Sequence, residues 1–313
     1  MAEANDDERP EDAAASQESA QELAAGQLPM AARGRLRQET GGRRFFATDL
    51  SVAELLLVEA EGYEPLGVVM GSSVYHVGWQ TYGWNWYGGA AQELETVTQA
   101  HMHARELAMG RMEQEAAALG AHGVVGVRLT AEGYEGESGL LDFKAIGTAV
   151  RLRGAPPPQR PFVSDLSGDD FWALLQAGYL PLGLAMGFCA YYNFPYRFPY
   201  VGGTLYRYGN MELPEWTRTI YDARRLAMQR LATDVQRAGA MGVAGVKIDV
   251  QKHLHERESN NTNYLALVVD FFAMGTAIAP ARQAFAAGRP RPVLDMIGLT
   301  RRSATEAEEL QTQ

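Results

Sequence analysis

Gly120-Ala-His-Gly-Val-Val-Gly-Val127 returns 119 residues later as Gly239-Ala-Met-Gly-Val-Ala-Gly-Val246. Each copy follows a long alanine-rich stretch and runs into an apolar segment. A glycine placed just past a helix supplies the left-handed residue that ends it, and a short Val-rich run after it reads as a buried strand. Outward from this stretch the order repeats. Phe46-Ala-Thr-Asp-Leu-Ser51 matches Phe162-Val-Ser-Asp-Leu-Ser167, and Gly62-Tyr-Glu-Pro-Leu-Gly67 matches Gly178-Tyr-Leu-Pro-Leu-Gly183. Ala104-Arg105 matches Ala223-Arg224, and Gly147-Thr-Ala149 matches Gly275-Thr-Ala277. A period above a hundred residues exceeds the roughly 20–50 of solenoid repeats, so the reading is one domain present twice.

Each copy reads alike. Asp49 or Asp165, followed by serine, is expected to cap a short helix (52–61, 169–177) that ends at Gly62 or Gly178. A strand follows (66–75, 182–192), then an aromatic loop, then a long helix (93–119, 213–238). A buried strand (124–129, 243–250) and a last strand (145–152, 264–278) complete the unit. The fold class expected is α+β: two homologous domains, each a largely antiparallel sheet packed with one short and one long helix. The divisions are a disordered tail at 1–44, a first domain at 45–153, a Pro-rich linker at 154–161, a second domain at 162–280, and a C-terminal tail with a short helix at 281–313.

The chain has 313 residues, 46% of them hydrophobic, enough for two cores. Its net charge is −10, and the tail carries most of the charge asymmetry. Residues 1–30 hold eight acids and one base; residues 31–44 hold five arginines and one acid. An acidic balance over the repeats excludes general nucleic-acid binding, which needs a basic face. No apolar run is long enough to span a membrane, and no apolar signal core opens the chain. One cysteine, Cys189, excludes an internal disulfide and suits a reducing cytoplasm.

On the long helix Val97, His101, Ala104, Ala108, Met112 and Leu119 fall within about 80° of one another. Arg111 and Glu115 lie on this face four residues apart, and their counterparts are Arg230 and Asp234. That spacing lets the two side chains meet. Both pairs are read as structural or interface ion pairs, with Arg105 and Arg224 flanking them.

The run Ala104 to Arg128, with its Ala-Arg start, Arg111-Met112 pair, Leu-Gly-Ala and Val-Val-Gly-Val-Arg, resembles the YbjQ-like family, labelled as heavy-metal-binding domains. Ile146-Gly-Thr-Ala-Val150 resembles that family's closing strand, and the second copy is similar but looser. The resemblance implies a small α+β domain that assembles into rings and carries no established enzyme activity.

Soft metals need thiolates or imidazoles close together. A single cysteine makes a thiolate cluster within one chain impossible, and Cys189 aligns with Ser73, so it reads as a buried strand cysteine. His101 and His103 point about 160° apart on a helix. His253-Leu-His255 is the best chelating spacing, since alternate strand residues share a face. These residues keep open a rival reading, a metal or small-molecule binder, with no metal or cofactor assigned. The loops before the long helices hold Trp79, Trp84, Trp86 and Tyr87, then Tyr196, Phe198 and Tyr200. Such rings favour packed pockets and interfaces, and they are the expected surface for a protein partner or ligand. No nucleophile elbow, phosphate loop or zinc-protease motif is present. An enzyme would have to work through the Arg/acid pairs in a cleft. The expectation is a cytoplasmic, non-catalytic homo-oligomer, ring-like, assembling through the long helices and aromatic loops.

Overall fold

The computed structural model describes residues 22–23, 25–41, 46–76, 91–133, 140–193, 212–259 and 262–281. In chain order the elements are α1 (Met30–Gly41), α2 (Val52–Ala60), β1 (Tyr63–His76), β2 (Gln92–Glu93), α3 (Glu95–Ala118), β3 (Gly123–Gly133) and β4 (Leu140–Leu152). There follow β5 (Phe162–Val163), α4 (Gly168–Gln176), β6 (Tyr179–Asn193), α5 (Pro214–Arg237), β7 (Gly242–Ser259) and β8 (Thr262–Pro280). The expected α+β class is what the chain forms.

The short helices start where a hydroxyl can take an orphan amide. Ser51 accepts from the Glu54 amide and Glu54 reaches back to the Ser51 amide, a full capping box. Those bonds to Ser51 hold the Glu54 carboxyl below its ordinary pKa. Ser167 caps α4 through the Asp170 amide. The caps are therefore the serines, not Asp49 and Asp165 as expected; the aspartates lie two residues earlier and bond elsewhere. Gly120 and Gly239, at φ +72° and +65°, follow the long helices as the sequence requires.

Two four-stranded sheets form, ordered β1-β4-β3-β5 and β2-β6-β8-β7. In each, the three long strands pair antiparallel around a central β4 or β8. Register breaks fall at matching places: Pro65/Gly67 and Pro181/Gly183, then Val125/Arg128 and Ala244/Lys247. The short strands are exchanged. β5 lies on the first sheet, parallel to β3, although it opens the second repeat. β2 lies on the second sheet, beside β6, although it precedes the first long helix.

The layers run first sheet, α3, second sheet, α5. Val69 and Phe143 meet α3 from one side, and Leu184, Met186 and Phe272 join the same core from the other. On the opposite face of β6, Ala185 and Cys189 pack on Ala223, Ala227 and Leu231 of α5. Both helices sit very close to their strands. A Cβ on Gly71 would run into the Ala108 carbonyl, and one on Gly187 into the Ala227 carbonyl. Only glycine fits at either crossing.

Part of the expected tail is ordered. Residues 30–41 form α1, and Leu28 and Leu36 are buried against the α3 core. The composition there is polar, so the few leucines decide its place.

Candidate functional site

The Arg/acid pairs on the long helices do not close on themselves. Arg111 donates to the Ser72 carbonyl (2.5 Å) and to the Leu23 carbonyl (2.9 Å). Glu115 accepts from the Met70 amide (3.0 Å) and from Arg35 (2.7 Å). In the second half Arg230 donates to the Phe188 carbonyl (3.0 Å), and Asp234 accepts from the Met186 amide (3.4 Å). Ser72 and Phe188 are matching positions, as are Met70 and Met186. The expected ion pairs are thus backbone clamps. β1 is an edge strand, so its outward amides and carbonyls need partners, and the helix supplies one donor and one acceptor at the right rise. Burial lowers the pKa of Arg111. Arg230 also pairs with Glu93 of β2 (2.7 Å), and Asp234 with Arg237 (3.2 Å).

Between α3 and the second sheet lies a charged plug. Arg105 is 5% exposed, and its guanidinium faces Phe272, Phe188 and Phe143 at 4.2, 4.6 and 5.1 Å. Burial lowers its pKa to about 10, which leaves it charged at neutral pH. His101 stacks on Phe188 at 4.4 Å and meets Phe143 edge-on. Burial, then Arg105, pushes its pKa down to about 4, so the imidazole is neutral. The sequence puts His101 on the helix stripe with Val97 and Ala104 and leaves Arg105 as a mere flank; three phenylalanines from two sheets make its site.

The segment containing β5 crosses from one half to the other. Phe162 donates its amide to the His122 carbonyl, and Ser164 to that of Val124. Val127 and Gly126 donate back to the Ser164 and Leu166 carbonyls. The Phe162 ring lies flat against Gly123, where a Cβ would collide with it. Asp165 is buried, accepts from Thr276 Oγ1 (2.7 Å) and pairs with Lys247 (3.3 Å). The matching Asp49 takes Thr148 Oγ1 on its amide (3.1 Å) and pairs with Arg128 (2.7 Å). The Gly-Thr-Ala strands therefore hold each segment in place through their threonines, a role the repeat hinted at only by keeping Thr148 and Thr276.

The described donor residues do not gather in one place. Among the described residues no group of three or more His, Cys, Asp or Glu could hold a metal ion. His253 meets Asp270 at 3.4 Å, and that bond raises its pKa. The side chain of His255 lies outside the described residues. Cys189 is buried against α5, and burial pushes its thiol up to about 12, far from the thiolate that a metal takes. The loop residues Trp79, Trp84, Trp86, Tyr87, Tyr196, Phe198 and Tyr200 also lie outside the described residues. No described helix is long and apolar enough to cross a membrane.

Comparison with known proteins adds the family. Residues 59–153 match the YbjQ family model described as "Putative heavy-metal-binding". Encapsulin nanocompartment protein Rv1762c of Mycobacterium tuberculosis is 41% identical over 240 residues, covering 74% of this chain and 85% of that protein. UPF0145 protein TTHA1944 of Thermus thermophilus is 40% identical over 117 residues, covering 34% of this chain and 97% of its own. A UPF0145 protein of Archaeoglobus fulgidus is 41% identical over 99 residues, covering 30% of this chain and 87% of its own. No solved structure matches. These matches agree with the glycine motif and with the β1-β4-β3 sheet around it: the chain belongs to the UPF0145 family of YbjQ-like proteins.

Proposed function

We propose that this protein is a non-catalytic assembly module of the cytoplasm that builds a closed, ring-like homo-oligomer, each chain supplying two adjacent YbjQ-like domains. One observation carries the reading. The contact between the two halves uses different surfaces on each side, α3 and β3 on the first against β6, β8 and β5 on the second. A heterologous contact of this kind propagates, and closes into a ring when its rotation allows. The titratable groups support the non-catalytic part. The Arg/acid pairs are spent on strand backbone, and His101 and Arg105 are packed among rings. The names of the relatives carry no reaction, and that of the M. tuberculosis protein, a nanocompartment, accords with assembly. A lone buried thiol accords with the cytoplasm.

Native mass spectrometry of untagged protein tests this. One discrete multiple of the chain mass, unchanged over a range of micromolar concentrations and with no extra mass, is the expected result. A single-chain mass throughout would overturn it. Stoichiometric added mass of a metal or small molecule would move the reading to a binder.

A further inference from the structure

Among the described residues there is one finished seam and two unfinished ends, and the ends match. Along the finished seam the Phe162 ring covers Gly123. The position matching Gly123 is Gly242, where a Cβ would meet nothing within 4 Å, and the position matching Phe162 is Phe46, which is 48% exposed. Val127 is 0% exposed under the crossing segment, whereas its counterpart Val246 is 40% exposed and Met241, just before β7, is 65%. The sheet faces differ in the same way. Met186 and Ala190 are buried beneath α3, but their counterparts Met70 and Val74 are exposed. Arg105 is buried on α3, and Arg224 on α5 is exposed beside Tyr221.

Resting on the assembly reading above, we infer that a second copy of this chain docks head to tail: its residues 46–50 lie along β7 at 241–246, and α5 covers its first sheet at Met70 and Val74. Four backbone bonds define the joint by analogy with the seam. The Phe46 and Thr48 amides of the next copy donate to the Met241 and Val243 carbonyls. The Val246 and Gly245 amides donate to the Thr48 and Leu50 carbonyls of that copy. Each atom is the counterpart of one already bonded between 162–166 and β3. Thr48 and Asp49 are already held in place by Thr148, as Ser164 and Asp165 are by Thr276. The plug is therefore preformed, and docking costs little ordering entropy.

Charge fits as well. Across the finished seam Glu93 pairs with Arg230. Its counterpart Glu212 is exposed, and the counterpart of Arg230 is Arg111 of the next copy. There the second guanidinium nitrogen now bonds the Leu23 carbonyl, so the N-terminal segment gives way as Glu212 arrives. Phe188 and Phe272 correspond to Ser72 and Lys144, so the joint between chains is more polar than the seam within one.

Two variants of the full chain test the joint by light scattering and native mass spectrometry. Phe46→Asp removes the plug and Gly242→Trp fills the socket; both positions are open in the single chain. Each variant alone is expected at the single-chain mass, with an unchanged circular dichroism spectrum. Mixed, they are expected to form one 1:1 pair, since one open plug and one open socket remain. Met241→Glu, at a side chain already exposed, replaces Gly242→Trp if tryptophan disturbs β7. Variants that keep the wild-type oligomer, or a mixture that forms no pair, would overturn this joint while leaving assembly standing. A wild-type chain that is itself single would overturn both.

Discussion

β3 and β7 start from nearly the same words, Gly-Val-Val-Gly-Val and Gly-Val-Ala-Gly-Val, and adopt the same bulge, yet they end in opposite environments. The edge of β3 is closed by residues 162–166 and its valines are fully buried; β7 leaves Val246 and Ile248 in the open, with Met241 exposed just before it. Local sequence cannot produce this difference. It comes from a long-range contact: residues 162–166 cover the edge of β3, and no described segment covers that of β7. On the assembly proposed above, equal propensity with unequal burial marks the surface that the next copy covers, since exposed apolar strand edges otherwise invite uncontrolled pairing.

The comparison is most sharply tested at the two phenylalanines. Phe162→Ala should destabilise the chain by about 3 kcal/mol, because its ring is packed on Gly123 and Phe171. Phe46→Ala should change the stability of the single chain by less than about 0.5 kcal/mol. Urea unfolding at dilutions where the chain is single measures both, and equal losses would break the distinction.

The acid response of one buried histidine should have no counterpart in the second half, where Ile220 stands at the matching position. His101 is neutral in the fold, with its pKa lowered to about 4, while an unfolded histidine titrates near 6.5. Below pH 6.5 the unfolded chain binds the extra proton, so stability is full above that pH and falls as pH drops towards 4. The loss is about 3 kcal/mol at pH 4. His101→Ile, which copies Ile220 at the matching position, should flatten that part of the stability curve. An unaltered acid slope in this variant would remove His101 as its source.

Where the halves are alike, their variants should agree. Gly71→Ala and Gly187→Ala each push a methyl into a helix carbonyl and should cost a similar amount, about 2 kcal/mol by thermal or urea unfolding. The smallest effect is expected at the caps: Ser51→Ala and Ser167→Ala should each cost about 1 kcal/mol, Ser51 slightly more because Glu54 completes its box. A cost at Ser167 well above that at Ser51 would contradict the capping geometry.

Much of the fold was legible because it rests on local signals. The glycines at 120 and 239, the helix stripe and the apolar strands all act within a few residues. Arg111 and Glu115 were found for the right reason, a charged pair on a buried face, but matched to the wrong partner. Helix spacing shows that two side chains can meet; it does not show that an edge strand nearby offers a free carbonyl and amide. The capping aspartates failed similarly, since Asp49 and Asp165 have a stronger use against Thr148 and Thr276, 99 and 111 residues away. Arg105 was unreadable as a core residue because its three rings come from β4, β6 and β8. The seam could not be seen at all: Phe46 and Phe162 are the same letter in the same motif, and only the three-dimensional arrangement separates them.

The exchange of β2 and β5 also bears on what the Pro-rich connection contributes. Residues 156–160 are exposed, while both short strands stay hydrogen-bonded to the opposite half on either side of them. A protease nick at this point would divide the polypeptide without separating its two halves. The same architecture could then be encoded as two separate polypeptides, or as a permuted chain opening at Phe162, with the join moved to another seam.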